Sequence, residues 1–266
     1  MQNKLSPFLK TIMILGYGFL YVPIFTLILF SFNASRQVTV WKGFSTKWYA
    51  SLLQDDVLIK SAWISLEVAL CAATFAVILG TMAAVVLVRV GRFKSRRFFG
   101  LLTAAPLVMP EVITGLSLLL LFVGLEQIIG WPKTRGILTI TIAHTTLCMA
   151  YVTILVRGRL ADMDRSLEEA ALDLGARPLK VFILITLPLI SPALIAGWLL
   201  AFALSLDDLV LASFVAGPGS STLPMVIFSS IRFGISPQIN ALATIIITTV
   251  AIGVMVAGWL MHRKKY

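Results

Sequence analysis

Long apolar stretches, separated by short charged ones, divide this chain into segments of membrane-spanning length. About 20 apolar residues in a helix cross the roughly 30 Å hydrocarbon layer of a bilayer. Six stretches meet that length: Thr11 to Phe30, Ala62 to Val88, Phe98 to Leu125, Gly136 to Val156, Val181 to Leu206 and Ile239 to Met261. The first is too long for a signal peptide and is followed by no small-residue cleavage site, so it is expected to be retained. The third is interrupted by Pro106, Pro110 and Glu111. A further uncharged run, Leu209 to Ile231, is split by Gly217-Pro218-Gly219-Ser220-Ser221 into pieces too short to span, and reads as a re-entrant or interfacial segment. The expected fold is an all-α integral membrane protein whose residues 1–266 form a single transmembrane domain.

Composition agrees with the pattern. The 266 residues are 59% hydrophobic and 13% charged, with a mean hydropathy of +0.96, far from an average soluble domain. The net charge of +10 is carried in the short loops and not in one nucleic-acid-binding patch. With both termini inside, Lys4, Lys10, Arg89, Arg92, Lys94, Arg96, Arg97, Arg157, Arg159, Arg165, Arg177, Lys180, Arg263, Lys264 and Lys265 are cytoplasmic, and only seven of the 22 basic residues are outside. That bias sets the orientation. Cys71 and Cys148 lie inside apolar runs without paired spacing and read as small core residues. Neither His144 nor His262 has ligand-like neighbours in sequence, and no metal site is expected. The first outer loop carries Trp41, Phe44, Trp48 and Tyr49, either an interfacial aromatic belt or a contact for a docked protein. Asn33-Ala34-Ser35 matches a glycosylation sequon by chance.

The charged loop of residues 157–180, between the fourth and fifth spans, contains a short amphipathic helix. Ser166 and Glu169 have capping-box spacing, Leu167, Ala170, Ala171 and Leu174 form one apolar stripe, and Glu168, Glu169 and Asp173 lie off it. Gly175 ends the helix and Pro178 starts the next. About two turns of helix are unstable alone in water, so this one docks either on its own protein or on a partner.

The run Glu169-Ala170-Ala171, three residues, Gly175, nine residues, then Ile185-x-Leu187-Pro188 resembles the EAA loop of membrane subunits of ATP-binding-cassette (ABC) importers. The resemblance implies the type I importer permease fold: six transmembrane helices with a cytoplasmic coupling helix between spans four and five. It also implies coupling roles for Ser166, Glu169, Ala170, Ala171, Asp173 and Gly175. Its implied partners are a second permease subunit in a heterodimer, two ATPase subunits that hold ATP and magnesium, and a periplasmic binding protein. The chain itself has no G-x-x-x-x-G-K-[ST] phosphate loop and no catalytic constellation, so it is expected to be a transport subunit with no cofactor and no enzyme activity of its own.

Ionisable groups within spans are costly and mark function by default. Glu111 follows Pro110, and Asp207 and Asp208 end the fifth span at its outer side, with no matching basic residues in the spans. Such carboxylates suit a cationic substrate. The alternatives are an ion pair with a neighbouring subunit for Glu111 and helix capping for Asp207 and Asp208; Glu67 reads as structural. The runs Val38-Thr39-Val40-Trp41-x-Gly43-Phe44-Ser45, Pro106 to Gly115 and Leu204 to Val210, with Gly217-Pro218-Gly219 and Thr222-Leu223-Pro224, resemble putrescine/spermidine importer permeases, most nearly the putrescine type. The resemblance implies a polyamine substrate, whose ammonium groups pair with carboxylates and aromatic faces. The rival reading is a proton-coupled secondary transporter of organic cations using Glu111 and Asp207.

Overall fold

The computed structural model describes residues 6–36, 40–91, 93–232 and 237–263. Lys4, Arg92, Lys264 and Lys265 of the charge count, Val38 and Thr39 of the polyamine-type run, and the side chain of His262 lie outside the described residues. The chain packs as two compact units, Met1–Ile59 with Ile227–Tyr266, and Lys60–Val226.

Helices follow the hydrophobic pattern: α1 (Pro7–Ser31), α2 (Lys47–Leu52), α3 (Asp56–Arg89), α4 (Arg96–Val108), α5 (Glu111–Ile129), α6 (Ile137–Asp162), α7 (Ser166–Asp173), α8 (Pro178–Val181), a π turn (Phe182–Thr186), α9 (Leu187–Asp207), α10 (Val210–Val215), α11 (Leu223–Arg232) and α12 (Pro237–Arg263). Among the described residues five helices are long and apolar enough to cross a membrane: α1, α3, α5, α6 and the continuous Pro178–Asp207 rod. The sixth expected span, Ile239 to Met261, lies within α12, 27 residues from Pro237 to Arg263.

Two prolines reshape the pattern. The expected third span, Phe98 to Leu125, is two helices: the ring of Pro110 disfavours helical backbone at the preceding residue, Met109 turns extended (ψ 135°), and α5 starts afresh at Glu111. Pro188 lacks the N–H that Leu184 needs. The ladder yields one extra residue there, so Leu187 N–H bonds to the Phe182 carbonyl in a π turn.

In the Lys60–Val226 unit, small residues let α3 approach α6 closely. Ala73, Ala76 and Ala84 of α3 pack with Cys148, Val152, Val156 and Leu160 of α6 and Ile190 and Ala201 of α9. A Cβ at Gly80 would stand 2.9 Å from Val152, so that crossing requires glycine. A second cluster joins Ile64, Val68, Phe122, Ile140, Ala143, Ala212 and Val215, seating α10 on α5 and α6. The expected short segment from Leu209 to Ile231 is thus α10 and α11, parted by a turn in which Gly219 has φ +74°. Cys71, expected in the core, is exposed on α3; Cys148 is buried.

In the other unit, α12 packs on α1 and α2. The aromatic loop is internally bonded. Trp48 is buried and donates its indole N–H to the Asn33 carbonyl (2.6 Å), Phe32 and Phe44 stack, and Tyr49 shares a 2.7 Å hydrogen bond with Ser31. Trp41 and Phe44 stay exposed. Asn33 is buried, its amide donating to the Val40 carbonyl and accepting from Lys42 N–H, so the sequon asparagine serves the loop's own structure.

Candidate coupling site

The short helix of the charged loop forms as α7, eight residues from Ser166 to Asp173. Its start differs from the expected capping box: Ser166 is the first helical residue, and its side chain does not cap. The cap is supplied from two residues upstream, where the Asp164 carboxylate accepts the Ser166 N–H at 2.9 Å. A charged acceptor before the first turn displaces the serine hydroxyl, and that bond holds the Asp164 carboxyl below its ordinary range. The end is as expected. Gly175 takes φ +84°, and its N–H bonds to the Leu172 carbonyl while Ala176 N–H bonds to Ala171, the paired bonds of a Schellman end. Pro178 is the first residue of α8.

The two sides of α7 differ. Leu167, Glu169, Ala170, Leu172, Asp173 and Leu174 are exposed, Leu174 to 89%. Ala171 and Glu168 turn inward. Sequence periodicity placed Glu168 with the solvated charges. In the structure its Oε2 stands 2.8 Å from Arg89 Nε, and the side chains are only 14% and 15% exposed. The contact lacks hydrogen-bond alignment and is read as charge against charge. The Thr186 hydroxyl donates to Glu168 Oε1 at 2.6 Å. Arg165 donates Nη2 to the Val88 carbonyl at 2.7 Å. A cavity of about 420 Å³ lies under α7, lined in part by Val85, Leu172, Pro178 and Phe182. No local sequence signal marks Glu168, because its partners are far away in the chain.

The three candidate pathway carboxylates are placed differently. Glu111 is exposed at the first position of α5, where the helix dipole favours a negative charge. Asp207 is exposed. Asp208 has a side chain only 5% exposed, with Oδ1 3.3 Å from Nε2 of buried His144 and accepting the Ala212 N–H at 2.9 Å. His144 Nδ1 lies 2.7 Å from Ser205 Oγ. The sequence reading gave His144 no company; folding brings Ser205 and Asp208 to it. Glu67 is exposed on α3. Among the described residues no hydrogen bond or ion pair joins Glu111 to Asp207 or Asp208.

Comparison with known proteins agrees with this architecture. Over 260 residues, covering 98% of this chain and 92% of the relative, it is 60% identical to the putrescine transport system permease protein PotI of Escherichia coli (strain K12). It is 40% identical to the spermidine/putrescine transport system permease protein PotC of the same strain, covering 94% and 91%. A bacterial ABC transporter involved in the import of the acidic polysaccharide alginate superposes with a TM-score of 0.70 at 18% identity, covering 95% of this chain and 94% of that one; the likeness establishes the type I permease fold. Residues 76–263 match the model of the binding-protein-dependent transport system inner membrane component, and the chain belongs to that family of multi-pass inner membrane proteins.

Proposed function

We propose that this chain is the permease subunit of an ABC importer that moves polyamines, putrescine or spermidine, into the cytoplasm, driven by a separate ATPase through α7. One observation carries the coupling role: α7 is too short to persist alone, yet it leaves Leu167, Ala170 and Leu174 of its apolar stripe and Glu169 uncovered. A helix held in place with its docking face free calls for a partner. The substrate reading is supported by the 60% identity to a putrescine permease and the 40% identity to a spermidine/putrescine permease. It is further supported by exposed carboxylates at Glu111 and Asp207.

In this reading both termini are cytoplasmic, and a second permease, two ATPase subunits and a periplasmic binding protein complete the importer. ATP and magnesium are held by the ATPases. Their closure moves α7, through Ser166, Glu169, Ala170, Ala171, Asp173 and Gly175, and switches the translocation path through the membrane between outward and inward access. Glu111 and Asp207, expected with Asp208 to line the path, are exposed and favour passage of an ammonium chain, whereas the buried Asp208 side chain is held by His144 and the Ala212 N–H. The test is uptake of labelled putrescine, with spermidine as competitor, into proteoliposomes holding the assembled importer. Uptake should require ATP and the binding protein; uptake by this chain alone on a pH gradient would favour the secondary-transporter reading.

A further inference from the structure

We infer that Glu168 is the residue through which movement of α7 reaches the membrane-spanning helices, because it grips the end of α3 and the π turn before α9 at the same time. It is a positioning residue for transport, and the inference rests on the coupling role proposed for α7.

Both carboxylate oxygens are used, one on each neighbour. Oε2 faces Arg89, the last residue of α3, at 2.8 Å, and Oε1 accepts from Thr186, the last residue of the π turn, at 2.6 Å. Arg165 adds a second hold on the same end of α3 through the Val88 carbonyl, one of the terminal carbonyls without an intrahelical partner. Thr186 is 3% exposed and occupies the x position of Ile185-x-Leu187-Pro188.

What lies behind α7 makes these contacts decisive. A close-packed apolar layer would transmit displacement at every point, but here Glu168, Glu169 and Leu172 of α7 line a cavity of about 420 Å³, so the packing behind the helix is not continuous. The polar contacts of Glu168 with Arg89 and Thr186, which line the same cavity, link α7 to α3 and to the π turn across that gap. Beyond them the path is solid: Ala73, Ala76 and Ala84 of α3 and Ile190 and Ala201 of α9 share one core with α6. The π turn, with its extra residue, is where α9 can change register at small cost. Of the adjacent glutamates, both at the cavity, Glu169 is exposed and Glu168 is the one held by Arg89 and Thr186. Without Glu168, Arg89 loses its counter-charge while its Nη2 is already buried and without a hydrogen-bond partner.

The experiment uses the complete importer in proteoliposomes, with putrescine uptake and ATP hydrolysis measured on the same samples. Glu168→Ala, Arg89→Ala and Thr186→Val are compared with the exchanged pair Glu168→Arg/Arg89→Glu. In Glu168→Ala and Arg89→Ala the ATPase subunit should still co-purify and hydrolyse ATP, while putrescine moved per ATP drops about tenfold, the order for one directed charge contact. Thr186→Val should lower the ratio less, and the exchanged pair should recover most of it. An unchanged ratio in Glu168→Ala and Arg89→Ala overturns the inference, and so does an exchanged pair as defective as either single variant. Where a single variant does not assemble, Thr186→Val and the exchanged pair decide by the same ratio. Gly175→Pro separates the two layers: if it abolishes uptake while Glu168 variants keep a normal ratio, only the role of Glu168 falls, whereas intact uptake in Gly175→Pro removes the coupling role of α7 itself.

Discussion

His144 Nε2 and Asp208 Oδ1 stand 3.3 Å apart inside the Lys60–Val226 unit, joining α6 to the corner where α9 ends and α10 begins. The same histidine reaches Ser205 with its other nitrogen, and the same carboxylate caps α10 through Ala212 N–H. A buried polar cluster of this kind is costly when partly satisfied. His144→Ala should therefore destabilise by about 1–3 kcal/mol, the cost of orphaned buried groups. Asp208→Asn, which keeps an acceptor for Ala212, should cost less than Asp208→Ala. Thermal unfolding of the detergent-purified protein ranks the three; equal midpoints for Asn and Ala would show that the cap contributes nothing.

Gly115 faces Phe214, and a Cβ there would lie 2.7 Å from its ring. Gly115→Val should overpack the α5–α10 contact and cost about 1–3 kcal/mol. Adding Phe214→Leu should recover part of the loss in a double-mutant cycle, because the ring is the obstacle.

At Gly175 the backbone is left-handed, and its N–H is bonded to Leu172. Ala there costs about 1–2 kcal/mol of backbone strain, and Pro forbids both the conformation and the bond. Putrescine uptake should be reduced in Gly175→Ala and abolished in Gly175→Pro, with capture by the binding protein intact. Asn, which tolerates this region, should be the mildest replacement.

Glu111→Gln removes an exposed charge from the start of α5. The dipole contribution is small, about 0.3–1 kcal/mol, so the unfolding midpoint should barely move while putrescine uptake falls. An undiminished rate takes Glu111 out of the path.

Asp164 accepts the Ser166 N–H only as a good acceptor while ionised, and its folded pKa is depressed. A depressed carboxyl stabilises the fold above its unfolded value, about 3.9, and that contribution is lost as pH falls through the lower folded value. Amide protection at the start of α7 should thus be flat from pH 5 to 8. Asp164→Ala should raise exchange at Ser166 across that whole range.

Much of this protein was legible in one dimension because a bilayer makes length and polarity speak directly. The apolar stretches became helices, Gly175 and Pro178 bounded α7 as local backbone chemistry requires, and the motif from Glu169 to Pro188 marked the family. The break at Pro110 was also legible, from the missing N–H, but local competition lay beyond the pattern: Asp164 displaced Ser166 as the cap, and Pro188 became a π turn. What only the tertiary structure decided is which charges face inward. Glu168 and Glu169 are neighbours with the same chemistry, and His144 is a lone histidine in an apolar run. Their roles came from partners such as Arg89, Thr186, Ser205 and Asp208 that folding brings from distant parts of the chain. Periodicity can place a side chain on a face, but the contact that satisfies it depends on which helix packs beside that face.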